Sequence, residues 1–149
     1  MQRSPSVMKV SDVMSTNLVT SGANEPLNEA VRRMLERDVG CIIVMDDSSV
    51  EGIITKGDIL KKAFLLGLDA REVSSKRVMS KPVVAIDPDS TLEDASRTMS
   101  RNNVSKLVVV KGKKVVGVVT SSDIIRAEPM QVGYLQELVR ARFVPHDIA

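Results

Sequence analysis

Residues 50–59 read VEGIITKGDI, and residues 115–124 read VVGVVTSSDI. Each couples a β-rich run to a Gly, a Thr and an Asp in the same order. Asp58 recurs as Asp123 and Thr55 as Thr120, one constant shift of 65 residues. Held over residues 12–60 and 77–125, that shift needs no gap. It pairs Val13 with Val78, Met14 with Met79, Ser15 with Ser80, Leu27 with Leu92, Ala30 with Ala95, Met34 with Met99 and Gly52 with Gly117. The chain is a tandem duplication.

Both copies predict the same elements. LVTSGANEP and VVAIDPDST read as a short extended lead-in and a turn. A helix follows: Leu27, Ala30, Val31, Met34 and Leu35 fall at helical spacing on one apolar face. In the second copy Leu92, Ala95 and Met99 do the same, and Ser90 with Glu93 reads as a capping box. CIIVM and LVVV are short buried strands, DDSS and KGKK tight turns, and VEGIIT and VVGVVT returning strands, which together make a hairpin. A second helix opens at Asp58 or Asp123, with Ile59, Leu60, Ala63 and Phe64 on its apolar side. Each copy is thus β-α-β-β-α, an α/β (α+β) fold. A copy of about fifty residues buries too little apolar surface to be comfortable alone, so two packed sheet to sheet are expected to share a core. The expected organisation is repeat 1 over 8–66, a polar linker over 67–76, repeat 2 over 77–127, and a C-terminal helix and tail over 128–149. Leu135, Leu138, Val139 and Phe143 mark one face of that last helix.

Composition removes several function classes. At 43% hydrophobic and 27% charged, the chain is globular rather than disordered. Its aromatic residues are Phe64, Phe143 and Tyr134, too few for a base-stacking platform. A formal charge of +2 is too weak for a nucleic-acid or anionic-membrane footprint, and KGKK and VRAR read as solvated faces. The single Cys41 excludes an intrachain disulfide and fits a reducing compartment. No apolar run is long enough to span a membrane, and MQRSPSVMKV lacks the centre of a signal peptide, so a cytoplasmic protein is expected. Catalysis is not expected. The one histidine, His146, stands close to the C-terminus with no nucleophile and acid arranged around it. Asp58 and Asp123 as a joint acid–base pair or a hard-cation site fits less well than two equivalent sites related by the repeat.

The T-x-x-D element carries two readings. One is helix capping: Thr at the N-cap and Asp three residues on satisfy free N–H groups, worth about 1 kcal/mol. The other is a ligand site: such a helix end favours anions, and a solvent-facing Asp accepts two hydrogen bonds from the vicinal hydroxyls of a ribose. Capping alone requires neither the preceding G-h-h-T strand (h, apolar) nor its recurrence at equivalent places.

The order β-α-β-β-α, twice, with V-M-S, then an extended lead-in, then G-h-h-T-x-x-D-I at conforming spacing, resembles a tandem pair of cystathionine-β-synthase (CBS) domains, a Bateman module. The resemblance covers about residues 8–127. It implies a regulatory or sensor module that binds adenosine-containing ligands in two related clefts between the repeats: AMP, ADP or ATP foremost, with NAD and S-adenosylmethionine as further members of the class. By position, Asp123 and Asp58 would grip ribose, and Thr120 and Thr55 would hold ribose or phosphate. Ser122 and Gly57 would line the same edge. Ser105–Lys106 and Gly40–Cys41 would face phosphate, and Val118 and Ile53 the base. The lead-ins would cross over: Ser15, Val19 and Thr20 to the Asp123 site, and Ser80, Val84 and Ala85 to the Asp58 site. The Asp123 site has Ser122, Ser105 and Lys106 as donors. The Asp58 site has Gly57, Gly40 and Cys41 there, with Lys56 the nearby cation, so the Asp123 site is expected to be the better one. Neither a cofactor nor a metal is implied. The resemblance further implies a homodimer through the CBS helices and an unidentified protein partner. The alternative is a ligand-independent dimerisation or protein-interaction module.

Overall fold

The computed structural model describes residues 7–127. The C-terminal helix expected over 128–149, and His146 with it, lies outside the described residues. The elements run α1 (Val10–Val13), β1 (Thr20–Gly22), α2 (Leu27–Glu36), β2 (Cys41–Asp46), β3 (Ser49–Thr55), α3 (Lys56–Asp58, continuing as a π-helix over Ile59–Phe64), α4 (Ser75–Val78), β4 (Ala85–Ile86), α5 (Leu92–Asn102), β5 (Lys106–Lys111), β6 (Lys114–Thr120) and α6 (Ser121–Ala127). They build two three-stranded sheets, β1-β2-β3 and β4-β5-β6, each with one parallel and one antiparallel pairing. The parallel pairs require a crossover, and α2 and α5 supply it. The hairpins turn through Asp47 and Gly112, both at positive φ. Each hairpin is offset by a bulge opposite Val44/Met45 or Val109/Val110, just before its glycine.

The sequence repeats and the compact units do not coincide. Among the described residues, one unit is Asn17–Val83; the other joins residues 7–16 to residues 84–127. Each repeat's V-M-S lead-in has therefore left its own repeat. Val10 is fully buried among Leu92, Ala95, Met99, Leu107, Val109, Val119 and Ile124. Val73, Val78 and Met79 are buried among Leu27, Ala30, Met34, Ile42, Val44 and Ile54. The backbone seals the exchange. Ser15 and Val118 swap N–H···O bonds of 2.9 and 3.0 Å, and Ser80 and Ile53 swap bonds of 2.8 and 3.2 Å.

The exchange explains the repeated glycine. A Cβ on Gly52 would lie 2.6 Å from Met79 Sδ, and one on Gly117 would lie 2.6 Å from Met14 Sδ and 2.9 Å from the Ser15 carbonyl oxygen. The V-M-S and G-h-h-T motifs are thus two halves of one joint: Met lies on Gly, and Ser pairs with the residue after it.

Several expectations change. The stretch 67–76 is more than a polar connection, since Val73 enters the core and Ser75, fully buried, shares a 2.7 Å hydrogen bond with Ser21. The capping box on α5 sits one residue later than expected. Thr91 Oγ1 accepts from the Asp94 N–H at 3.0 Å, and the Asp94 carboxylate accepts from the Thr91 N–H at 3.2 Å. Ser90 is instead held outside the helix, its carbonyl accepting from the Val10 N–H at 2.8 Å. Leu35, Leu60 and Phe64 fit the apolar periodicity but are exposed, while Ala30, Met34 and Ala63 carry the burial.

Candidate functional site

Each T-x-x-D lies where a returning strand ends and a helix begins. Thr120 pairs with Lys106 at the open end of the β5–β6 hairpin, and Thr55 pairs with Cys41 in the other sheet. The Ser121 N–H donates to the Ser105 carbonyl at 2.9 Å. One end of one sheet thus gathers Ser15, Ser105, Lys106, Val118, Thr120, Ser122 and Asp123. The corresponding end of the other sheet gathers Gly40, Cys41, Ile53, Thr55, Lys56, Gly57, Asp58 and Ser80. Cys41 is buried and in no disulfide, Val118 is buried and Ile53 is half-buried.

Four of the expected site residues stand in the opposite unit from the aspartate they were paired with. Val19 is buried in the core of the Asp58 unit, and Thr20 pairs with Ile43 in that same sheet. Val84 packs against the core of the Asp123 unit, and Ala85 pairs with Val108 there. The exchanged segments end at Thr16 and Val83, because the next residues are taken up by parallel pairing with β2 and β5.

The capping reading holds at both junctions. The Thr55 N–H donates to Asp58 Oδ2 at 2.9 Å and the Asp58 N–H to Thr55 Oγ1 at 3.3 Å. The Thr120 N–H donates to Asp123 Oδ2 at 2.9 Å and the Asp123 N–H to Thr120 Oγ1 at 3.2 Å. Capping uses Oδ2 in each case. What distinguishes the junctions is the partner of Oδ1.

Asp58 Oδ1 accepts from Ser80 Oγ at 2.7 Å and from Lys62 Nζ at 3.3 Å, and Thr55 Oγ1 adds a further contact to Oδ2 at 3.1 Å. Lys62 also donates to Ser80 Oγ at 3.0 Å and to the Met79 carbonyl at 3.3 Å. Burial by itself pushes the Asp58 carboxyl up. The Thr55 backbone N–H, the Ser80 hydroxyl and the Lys62 ammonium outweigh it and hold the group below its ordinary value. Asp123 Oδ1 accepts from Arg126 at 2.6 Å, and that arginine side chain is 71% exposed. The residues at the two Oδ1 positions, Lys62 and Arg126, were not singled out from the sequence. The signal was present, since a cation three or four residues after an acid on a helix faces it.

Among the described residues, no group of three or more His, Cys, Asp or Glu stands close enough to hold a metal ion, and no helix is long and apolar enough to cross a membrane.

The comparisons with known proteins follow the same duplication. The model of the CBS domain matches residues 10–64 and again residues 73–129. The chain belongs to the CBS-domain family. It is a tandem CBS pair. It is 32% identical over 115 residues to the CBS domain-containing protein YhcV of Bacillus subtilis (strain 168), covering 77% of this chain and 81% of that protein. It is also 32% identical over 131 residues to the uncharacterized protein MJ1404 of Methanocaldococcus jannaschii, covering 79% of this chain. There, however, the CBS pair spans only 31% of the relative's length, and it spans 50% of MJ1225 from the same organism. Among solved structures, the CBS domain pair of protein MJ0100, in complex with 5′-methylthioadenosine and S-adenosyl-L-methionine, superposes with a TM-score of 0.71 at 28% identity, covering 80% of this chain and 98% of that one. The conserved CBS domain protein TA0289 of Thermoplasma acidophilum superposes with a TM-score of 0.77 at 26% identity, covering 91% and 78%.

Proposed function

We propose that this CBS pair is a regulatory module that binds an adenosine-containing ligand, an adenine nucleotide (AMP, ADP or ATP) foremost, at the Asp123 junction, and relays occupancy to a partner protein. The observation that carries the reading is the state of the Asp123 carboxylate. Among the described residues it accepts two hydrogen bonds, one of them from a surface arginine, where a carboxylate has room for about four. The hydroxyls of a ribose fit the remaining acceptor positions. Arg126, turned from the carboxylate to the ligand, and Lys106, at the start of β5, are cations for phosphate. Ser105, Ser122 and Thr120 add hydroxyl donors at the same sheet end. The reading draws support from MJ0100, a relative whose structure holds two adenosine-containing compounds. Binding biases a regulatory equilibrium only by its differential affinity for the two states.

The test is isothermal titration of the chain with AMP, ATP, NAD and S-adenosylmethionine in turn, with and without Mg²⁺. Saturable heat with one of them supports the reading and names the ligand; silence from all four, with a folded protein, removes it.

A second reading, a dimerisation or interaction module that needs no ligand, is favoured by one observation. Leu60, Phe64, Leu65 and Leu66 are 58%, 75%, 74% and 68% exposed, an apolar cluster on and just after α3. Sedimentation of the wild type and of Phe64→Glu, with and without nucleotide, separates the two. A dimer lost in the variant while nucleotide heat persists makes dimerisation an accompaniment of the sensor rather than its replacement.

A further inference from the structure

The two carboxylates are equivalent in sequence and unequal in what surrounds them. Asp58 receives four donor contacts: the Thr55 N–H, Thr55 Oγ1, Ser80 Oγ and Lys62 Nζ. That fills the acceptor capacity of a carboxylate. Lys62 is tied on three sides, to Asp58, to Ser80 and to the Met79 carbonyl, and its side chain is 39% exposed against 71% for Arg126. The repeat shift places Ala127 at the position of Lys62, so the cation on Asp123 Oδ1 comes one position earlier, from the largely exposed Arg126.

We propose that Lys62 is a built-in occupant of the Asp58 junction. It bridges Asp58, Ser80 and Met79 and closes that carboxylate to the vicinal hydroxyls of a ribose, so the chain takes one adenosine-containing ligand, at Asp123. To enter at Asp58, a diol must displace two donors, Ser80 Oγ and Lys62 Nζ, from Oδ1 and leave the ammonium without its carboxylate partner. At Asp123 it displaces one exposed arginine. The ligand-facing V-M-S serine, Ser80, is part of the closure: it donates to Asp58 and accepts from Lys62, so the exchanged lead-in is recruited to the lock. The inference rests on the ligand class proposed above and adds stoichiometry and a selectivity residue to it.

The experiment is titration of the full chain with AMP and with ATP, comparing wild type, Asp123→Asn, Lys62→Ala and the double variant Lys62→Ala/Asp123→Asn. Wild type is expected to bind one ligand per chain, and Asp123→Asn to weaken that binding about tenfold or more. Lys62→Ala, which installs the residue of the other repeat, is expected to bind two per chain, and the double variant to keep one. Lys62→Met preserves the stem and replaces Lys62→Ala if thermal melting shows that variant to be unfolded. A stoichiometry that stays at one in both Lys62 variants overturns the lock and leaves the proposed function standing. Two ligands on wild type do the same, and so does loss of binding on removing Lys62, which would make the lysine a phosphate contact instead. No heat in any folded variant overturns the proposed function and the lock together.

Discussion

The Asp58 and Asp123 junctions began as the same sequence and now differ in what holds the outer carboxylate oxygen. At Asp58 it is a half-buried serine and a half-buried lysine; at Asp123 it is a surface arginine. The shared part, a Thr–Asp capping box, is what the fold requires to start a helix after a strand. The unshared part is free to diverge because it lies outside the cap. Duplication has produced one junction closed by the protein's own side chains and one with unused acceptor capacity. The structural role of T-x-x-D and the ligand role proposed for it are therefore compatible, because the cap uses Oδ2 and leaves Oδ1 to other partners.

The largest expected effects probe the joint that both units share. Gly117→Ala is expected to cost about 3 kcal/mol and Gly52→Ala about 1 kcal/mol, read by urea unfolding. The added Cβ at Gly117 meets the Ser15 backbone carbonyl as well as Met14, whereas the three atoms nearest to it at Gly52 all belong to the Met79 side chain. Equal costs would show that the two joints are equally tight. Next, Asp58→Ala is expected to cost about 2 kcal/mol, because Lys62 and Ser80 lose their acceptor, and Asp123→Ala about 1 kcal/mol, the worth of a cap. Reversed costs would break the distinction between a locked and an open carboxylate.

A pH series sharpens the same comparison. Since the Asp58 carboxyl is held below its ordinary value in the folded chain, its contribution is complete above the unfolded value of about 3.9 and is lost as pH falls through the folded one. The urea midpoint of the wild type should therefore fall more steeply below about pH 4 than that of Asp58→Asn. Parallel curves would count against the Lys62–Ser80–Asp58 network. The smallest effect belongs to Arg126→Ala, within about 1 kcal/mol of wild type and smaller still at high salt, as for any exposed ion pair.

Much of this was legible in the sequence. The local elements follow from periodicity and turns, and Leu27, Ala30, Met34 and their counterparts Leu92, Ala95 and Met99 are buried where spacing put them. The ends of the helices were less legible. Ser90/Glu93 and Thr91/Asp94 both satisfy the capping pattern, and only the hydrogen bond from Val10 to the Ser90 carbonyl selects the second. The exposure of Leu35 and Phe64 was hidden for a related reason: helical spacing marks a face without saying what covers it. The pairing of lead-ins was hidden most deeply. Two copies of V-M-S and two of G-h-h-T match one another in either combination, so local pattern alone cannot choose. The resemblance to CBS pairs led us to expect crossed lead-ins, and the contacts of Met14 with Gly117 and Met79 with Gly52 show where the crossing stops. Lys62 is the clearest lesson. It is the fourth residue after an acid on a helix, yet its meaning depends on Ser80 and the Met79 carbonyl, which arrive from the other end of the linker.

The central claim is that the Asp123 junction is open and the Asp58 junction closed. Amide chemical shifts of the ¹⁵N-labelled chain during titration with AMP or ATP test it most directly. The account predicts saturable shifts at Gly117, Thr120, Ser122 and Asp123 while Gly52, Thr55, Gly57 and Asp58 stay in place. Saturable shifts centred on Thr55, Gly57 and Asp58, with the Asp123 junction unmoved, would contradict it.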